Sequence, residues 1–178
     1  MTGKPIPEQE IDGVVAEHES PLLRYVSGLI GDSHAAQDVV QTTFIKLLRQ
    51  WQPGTRPSAT LRAWLYRVAH NEAVDHLRRE QRRWRLHAAH AQERENAAPS
   101  PSDTDGKLDA VLAAVRKLDQ SEQQVVLLRL QEGLSYQAIA QITGRTEGNV
   151  GCILHHAVKK LGVLLKASTT DRTGGGTP

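Results

Sequence analysis

A chain of 178 residues, 39% of them hydrophobic, is long enough for one medium-sized domain or two small ones with cores of their own. No apolar run approaches the roughly 18 residues of a membrane span, the start of the chain lacks the pattern of a secretion signal, and the single cysteine, Cys152, excludes an internal disulfide framework. We therefore expect a cytoplasmic protein without membrane insertion, whose fold depends on packing alone.

The net charge is only +2, but it is unevenly distributed along the chain. Counting Lys and Arg against Asp and Glu gives −4 for residues 1–20, +4 for residues 51–84 and −2 for residues 85–106. The distribution therefore says more about function than the sum does. It places a basic block in the middle of the chain, between two acidic segments.

Apolar residues recur at helical spacing, and no convincing period-two pattern predicts a strand, so we expect an all-α fold. A flexible acidic N-terminus, residues 1–13, is predicted to precede a first helix over residues 14–29. The second helix is predicted to start after Asp32 or Ser33 as N-cap, and Pro53-Gly54 ends it. Its apolar face consists of Val40, Phe44, Leu47, Leu48 and Trp51.

The third predicted helix carries the basic block and follows a Pro/Gly/Ser/Thr-rich loop, residues 52–60. At about 100° per residue, its buried stripe consists of Leu61, Leu65, Val68, Ala69 and Ala73. On the opposite side, within an arc of roughly 80°, lie five polar side chains that we call the ridge: Arg67, Asn71, Asp75, Arg78 and Arg82. The ridge should face solvent unless a partner covers it, whereas Trp64 is assigned to the core.

Residues 88–106 are rich in alanine, proline, serine and acidic residues without an apolar period, which is typical of a flexible linker. Two small helical domains are therefore predicted, over residues 14–87 and 107–166. In the second domain, Ser121-x-x-Gln124 resembles a capping box at the start of a helix that Gly133 ends. The tail, residues 167–178, is predicted to be disordered.

Residues 135–160 predict two helices joined by a tight turn. Ser135 is the expected N-cap of the first helix, Gly144 makes the turn, and Thr146 caps a last helix that ends near Leu164. The inward positions are Ala140, Val150, Leu154, Ala157 and Leu161. This layout is typical of a helix-turn-helix, whose second helix enters a DNA major groove of about 12 Å width, but an ordinary helical hairpin gives the same pattern.

Both halves resemble a known family. The stretches "AAQDVVQTTFIKLLRQW" and "LRAWLYRVAHNEAVDHLRRE" resemble region 2 of the extracytoplasmic-function (ECF) sigma factors of bacterial RNA polymerase, and "LDQSEQQVVLLRLQEGLSYQAIAQITGRTEGNVGCILHHAVKKL" resembles their region 4. The resemblance implies a protein that binds core polymerase through its beta-prime and beta subunits. It also implies recognition of the −10 and −35 promoter elements and strand opening for transcription initiation.

The resemblance assigns roles to residues of this chain. It implies that Asp38 and Gln41 contact the polymerase core, although Thr42 stands where the family usually has glutamate. The residues implied in −10 binding are Thr55, Arg56, Ser58, Thr60, Arg67, Asn71, Asp75, Arg78, Arg79 and Arg82. Arginines suit phosphates, and the Asn71 amide offers a donor and an acceptor to a base edge.

The −35 assignments fall on the last helix, where the sequence departs most from the family. The implied −35 residues are Arg145, Asn149, His155, Lys159 and Lys160. Gly151-Cys152 occupies the positions where the family usually has Lys-Ser, and Ala138 replaces a glutamate that would complete a capping box. We therefore expect a retained helix-turn-helix fold with divergent DNA specificity.

No nucleophile elbow, P-loop or metal-binding motif is present in the sequence, so we expect no enzymatic activity, no cofactor and no metal. An anti-sigma factor is the further partner that the resemblance implies, and the free protein is expected to be a monomer. Two alternatives remain open. One is a helix-turn-helix regulator that acts without polymerase, and the other is a helical adaptor that binds RNA or protein.

Overall fold

The computed structural model describes residues 8–50, 59–88 and 106–173, and within them the side chains of residues 11–50, 61–86 and 110–166. All regular secondary structure in these ranges is helical, as the sequence predicts. The chain forms two compact units, residues 1–99 and 100–178. The helices are α1 (Glu8–Ile30), α2 (Ser33–Gln50), α3 (Ala59–Ala88), α4 (Gly106–Arg116), α5 (Gln120–Leu130), α6 (Tyr136–Thr143) and α7 (Glu147–Thr173).

The first unit is a three-helix bundle in which α1, α2 and α3 all contact one another. Its largest fully buried side chains are Tyr25, Tyr66, Leu22 and Leu65, which belong to α1 and α3. From α2, the core receives Val39, Val40, Phe44 and Leu47. Burying such side chains contributes roughly 1.5–3 kcal/mol each. The bundle therefore has a core of its own.

The turn between α1 and α2 is built as its sequence predicts. Gly31 has a φ of 80°, a conformation that favours glycine. The Asp32 carboxylate then accepts hydrogen bonds from the backbone N–H groups of His34 and Ala35, at 2.8 and 3.0 Å. Asp32 is thus the N-cap of α2, and these bonds hold the pKa of its carboxyl group below the ordinary value.

Three side-chain expectations for this unit need correction. Leu48 was assigned to the apolar face of α2 but is 43% exposed. The neighbouring helices cover the side of α2 that carries Val40 and Leu47, and Leu48 lies about 100° from Leu47 around the helix axis. Trp64 and Val68 are only half-buried. Trp51 lies outside the described residues.

The second unit consists of α4 to α7, with α7 packed against the other three helices. Its core contains Val125, Leu127 and Leu128 of α5 together with Ile139 and Ile142 of α6. The buried face of α7 consists of Val150, Leu154, Ala157 and Leu161, as the sequence predicts.

The predicted cap of α5 is wrong. Its N-cap is Asp119, not Ser121: the Asp119 carboxylate accepts from the Glu122 backbone N–H at 2.9 Å, and the Glu122 carboxylate accepts from the Asp119 N–H at 3.2 Å. This reciprocal pair is a capping box, and it places the N-cap two residues before the predicted one. The Asp-x-x-Glu signal was present in the sequence.

Helix ends also differ from the predictions. Helix α1 begins at Glu8, so part of the segment predicted to be flexible is helical. Helix α7 continues to Thr173, into the predicted disordered tail. Of the predicted linker, only the two ends are described, Ala88 as the end of α3 and Gly106 as the start of α4.

None of the helices in the described ranges has both the length and the apolar character needed to cross a bilayer. The same part of the chain holds no group of three or more His, Cys, Asp or Glu side chains arranged to bind a metal ion.

Candidate functional site

The predicted core-binding residues lie on the outer side of α2. Asp38 and Gln41 are both exposed, while Val39 and Val40 between them are buried in the bundle. The backbone of α2 is thus anchored by its apolar residues, and the two polar side chains are free to meet a partner. This placement agrees with the position that the sequence predicts for them.

Beside Asp38, an open groove of about 430 Å³ runs between α2 and α3. Its charges are mixed, with carboxylates and cations on facing helices. From α2 it is lined by Ala35, Asp38, Val39 and Thr42, and from α3 by Glu72, His76, Arg79, Glu80 and Arg83. Arg79, predicted to bind −10 DNA, therefore shares a groove with the predicted core-binding residue Asp38 instead of lying on the ridge.

All five ridge residues are exposed. Within the ridge, an Arg78 guanidinium nitrogen lies 3.4 Å from an Asp75 carboxylate oxygen, and the Arg82 Nε donates to the Arg78 carbonyl oxygen at 3.3 Å. Both contacts are long and solvated, and a guanidinium has five N–H donors. Each arginine therefore keeps donors for another acceptor. Asp75 therefore lies beside Arg78, where its carboxylate can orient the guanidinium.

The ridge is held in place by contacts on other sides of α3. The Tyr25 hydroxyl of α1 is hydrogen-bonded to His70 Nδ1 at 2.8 Å, and both side chains are buried. Burial, and to a smaller extent Tyr66, raises the pKa of Tyr25, so the phenol remains protonated. An ion pair joins Lys46 of α2 to Glu72 of α3. These contacts fix α3 against both neighbouring helices.

Part of the predicted −10 site lies beyond the described residues. Thr55, Arg56 and Ser58 are outside them. Thr60 belongs to the first turn of α3, but its side chain is also outside them. Their role in −10 binding remains a prediction.

The helix-turn-helix has the predicted caps. Ser135 Oγ accepts from the Ala138 N–H at 3.1 Å, and Thr146 Oγ1 accepts from the Asn149 N–H at 3.3 Å. Between the helices, Gly144 has a φ of 68° and closes α6. The two helices are therefore joined by a short, well-defined turn.

Of the five predicted −35 residues, three are freely presented on the outer side of α7. Asn149, His155 and Lys159 are exposed, whereas Arg145 is half-buried in the turn before the helix. Lys160 is engaged within the protein, because its ammonium group lies 2.7 Å from Glu122 and 3.6 Å from Asp119. Lys160 is nevertheless exposed, and its role in −35 binding stays a prediction.

Sequence reasoning missed a contact between three helices beside the candidate −35 surface. The Arg129 guanidinium lies 5.5 Å from the centroid of the Tyr136 ring and donates to the Leu134 carbonyl oxygen at 2.8 Å. The same ring lies over Gly151, where a Cβ would be 3.7 Å from it. No periodicity signals this contact, because its members come from α5, α6 and α7.

Comparison with known proteins identifies the family. Residues 14–83 match sigma-70 region 2, and residues 108–161 match sigma-70 region 4. The ECF RNA polymerase sigma factor SigL of Mycobacterium tuberculosis is 34% identical over 161 residues, which cover 84% of this chain and 85% of SigL. The chain belongs to the ECF sigma factors. It is an RNA polymerase sigma factor, and neither of the two alternative functions is favoured.

Other relatives agree with this assignment. The ECF sigma factor BldN of Streptomyces coelicolor is 28% identical over 152 residues, and the match spans 84% of this sigma factor but only 58% of BldN. Among solved structures, CnrH in complex with the cytosolic domain of CnrY has a TM-score of 0.63 at 27% identity, covering 90% of each chain. RpoE of Bartonella quintana, bound to the anti-sigma factor NepR, has a TM-score of 0.70 at 22% identity. The match covers 89% of this chain and 98% of RpoE, and it supports the fold assignment.

Proposed function

We propose that this sigma factor brings RNA polymerase core to promoters by using three separate surfaces. The outer side of α2 contacts core polymerase, the ridge on α3 contacts the −10 element, and the outer side of α7 contacts the −35 element. The observation that carries the proposal is the ridge itself: five polar side chains in a row, all exposed, on a helix whose other side is fixed in the bundle. All bond chemistry remains with the polymerase.

The core contact is assigned to Asp38 and Gln41, with the beta-prime subunit as the partner. Their exposure on a helix that is anchored by buried neighbours supports this assignment. Thr42, half-buried at the groove, replaces the family's usual glutamate, so one polar contact of the usual set is absent in this chain. The beta subunit is proposed as the second core contact, but no particular residue is assigned to it.

Strand opening is assigned to the ridge. Extruding a base from the duplex costs a few kcal/mol of unstacking free energy, which contacts to the separated strand must offset. Arg67, Arg78 and Arg82 supply cations for the phosphates, and Asn71 supplies an amide for a base edge. Asp75 does not approach phosphate and instead orients Arg78, whose guanidinium is 3.4 Å away.

Duplex recognition at the −35 element is assigned to α7. Its described side chains, residues 147–166, include no arginine, so none of them can make the strongest direct contact to guanine. Asn149 and His155 offer hydrogen bonds, and Lys159 offers one phosphate contact. The −35 contribution should therefore depend strongly on how accurately α7 is placed in the groove.

Regulation by an anti-sigma factor is the remaining part of the proposal. The RpoE structure is a complex with the anti-sigma factor NepR, and the CnrH structure is a complex with the cytosolic domain of CnrY. We infer that a protein of this kind covers the polymerase-binding or DNA-binding surfaces of this sigma factor. The free sigma factor is then a monomer that acts in the cytoplasm.

The direct test is transcription in vitro with purified core polymerase and genomic DNA fragments. The proposal predicts that adding the sigma factor produces transcripts from a discrete set of start sites, which core polymerase alone does not use. Sequencing the 5′ ends identifies those promoters. No stimulation on any fragment, with a known sigma factor active on the same core preparation, would contradict the proposal.

A further inference from the structure

Lys160 occupies an unusual position for a lysine on a DNA-reading helix. Its ammonium group lies 2.7 Å from a Glu122 carboxylate oxygen and 3.6 Å from an Asp119 carboxylate oxygen. Glu122 is only 5% exposed, whereas the Lys160 side chain is 55% exposed, so the ion pair joins a buried carboxylate to a cation at the surface. These contacts raise the pKa of Lys160, chiefly through the hydrogen bond to Glu122. The cation is therefore committed to α5.

The two carboxylates that hold Lys160 are themselves fixed. Asp119 and Glu122 form the capping box at the start of α5, with reciprocal hydrogen bonds of 2.9 and 3.2 Å. One Glu122 oxygen accepts from the Asp119 backbone and the other faces Lys160. A rigid helix end therefore serves as the anchor for the α7 side chain.

The buried face of α7 packs against the unit, and the anchor adds a restraint on rotation of α7 about its own axis. Side-chain tips on a helix lie roughly 5–6 Å from the axis, so a rotation of about 20° moves them by about 2 Å. A displacement of that size breaks a hydrogen bond to a base edge. Lys160 lies one turn beyond His156 on α7, and at that point the ion pair opposes such a rotation.

Lys159 provides the matched comparison. It is the adjacent residue, it carries the same charge, and like Lys160 it is exposed, but the ion pairs with Glu122 and Asp119 belong to Lys160. An unengaged lysine that contacts phosphate releases counterions on binding, whereas a lysine paired inside the protein does not. The two neighbours should therefore differ in how their removal changes the salt dependence of DNA binding.

We propose that Lys160 is a positioning residue for −35 recognition: through Glu122 and Asp119 it fixes the rotation of α7, and it makes no phosphate contact. The inference rests on the proposed function of α7. It adds a residue whose effect on DNA is transmitted through α5, and it explains how a helix without arginine among its described side chains, residues 147–166, retains a defined reading position.

The test compares Lys160→Met with Lys159→Met in the reconstituted holoenzyme. The probes are a fluorescent promoter fragment from the transcription experiment and the same fragment with a scrambled −35 element. Each fragment is titrated with holoenzyme at several salt concentrations to give the binding constant K. Lys159→Met should lower the slope of log K against log salt by about 0.9 and weaken binding to both fragments. Lys160→Met should leave the slope unchanged and weaken binding to the intact fragment alone, by about three- to tenfold.

Two further variants show whether the effect runs through the anchor. Lys160→Arg keeps the positive charge beside Glu122 and Asp119, so it should bind the intact fragment about as tightly as wild type does, unlike Lys160→Met. In a Glu122→Gln background, Lys160→Met should cause little additional loss. Circular dichroism of each free variant establishes that it is folded. If Lys160→Met does not fold, the test is made by comparing Lys160→Arg with Glu122→Gln.

The outcomes separate this inference from the proposed function. If the wild-type holoenzyme does not distinguish the two fragments, the −35 role of α7 is wrong. If it does distinguish them and Lys160→Met changes neither the preference nor the slope, only the positioning role is wrong. A slope lowered as much as in Lys159→Met would make Lys160 a phosphate contact and overturn the inference.

Discussion

At the residue scale, the sequence predicts which polar side chains are exposed, but it does not predict which of them form pairs inside the protein. The ridge residues are exposed where helical periodicity places them, because exposure depends only on the side of α3 that carries the apolar stripe. The internal pairs Tyr25–His70 and Glu122–Lys160 join residues far apart in the sequence. Periodicity carries no information on such pairs, so the sequence does not reveal the ion pairs of Lys160, and its role at the −35 element stays a prediction.

Replacing Tyr25 with phenylalanine should destabilise the first unit by about 1–2 kcal/mol, because His70 Nδ1 loses a buried hydrogen bond while the packing is kept. All three tryptophans, Trp51, Trp64 and Trp84, belong to this unit, so their fluorescence during urea unfolding reports on it. Tyr136→Phe, at an exposed tyrosine of the second unit, is the control and should leave the transition unchanged. Equal effects of both variants would contradict the prediction.

Asp119 should make the stability of the second unit depend on pH. The hydrogen bond from the backbone N–H of Glu122 is the main cause that holds the pKa of its carboxyl group below the usual 3.8, and Lys160 makes a smaller contribution. The unfolded chain therefore binds the proton at a higher pH than the folded chain does. The contribution is present at neutral pH and is lost as the pH falls below about 4 towards the folded-state pKa.

Asp119→Asn tests this sign, because asparagine keeps the capping ability without the charge. The stability difference between wild type and Asp119→Asn, measured by urea unfolding with circular dichroism, should be largest at pH 7 and shrink at pH 3. Asp119→Ala should lose the cap as well, about 1 kcal/mol, at both pH values. A difference that grows on acidification would reverse the assigned sign.

At the element scale, the sequence determines which helices form but leaves their ends and caps less certain. Ser135, Gly144 and Thr146 were identified correctly, because each is an isolated capping signal between two apolar runs. At α5, two overlapping signals compete, and the reciprocal bonds of Asp119 and Glu122 prevail over Ser121. The two long helices, α3 and α7, carry the candidate DNA surfaces.

Replacing Gly162 and Gly144 of the second unit with alanine should change its stability in opposite directions. Gly162 lies inside α7, and the space that an alanine Cβ would occupy there has no neighbouring atom within 4 Å, so Gly162→Ala should stabilise the helix by about 0.5–1 kcal/mol. Gly144 has a φ of 68°, so Gly144→Ala should destabilise the turn by about 1–2 kcal/mol. Amide hydrogen exchange in α7 measures both effects. Destabilisation by Gly162→Ala would contradict the open space around this glycine.

At the scale of the whole molecule, we propose that core binding and strand opening use different surfaces of the first unit. Asp38 and Gln41 lie on α2, and the ridge lies on the exposed side of α3. The family could be recognised from the sequence because both regions occur in order, whereas the groove that places Arg79 beside Asp38 depends on helix packing. Core binding and strand opening should therefore be separable by mutation.

The most direct test of this division is promoter opening by holoenzymes carrying paired substitutions, followed by permanganate reactivity of unpaired thymines. Asn71→Ala with Arg78→Ala should retain core binding but lose at least tenfold in opening, with activity restored on a pre-melted promoter. Asp38→Ala with Gln41→Ala should instead lose core binding. If the ridge variant lost core binding and opening to the same extent, or opened the duplex promoter like wild type, the ridge would not be the strand-opening surface.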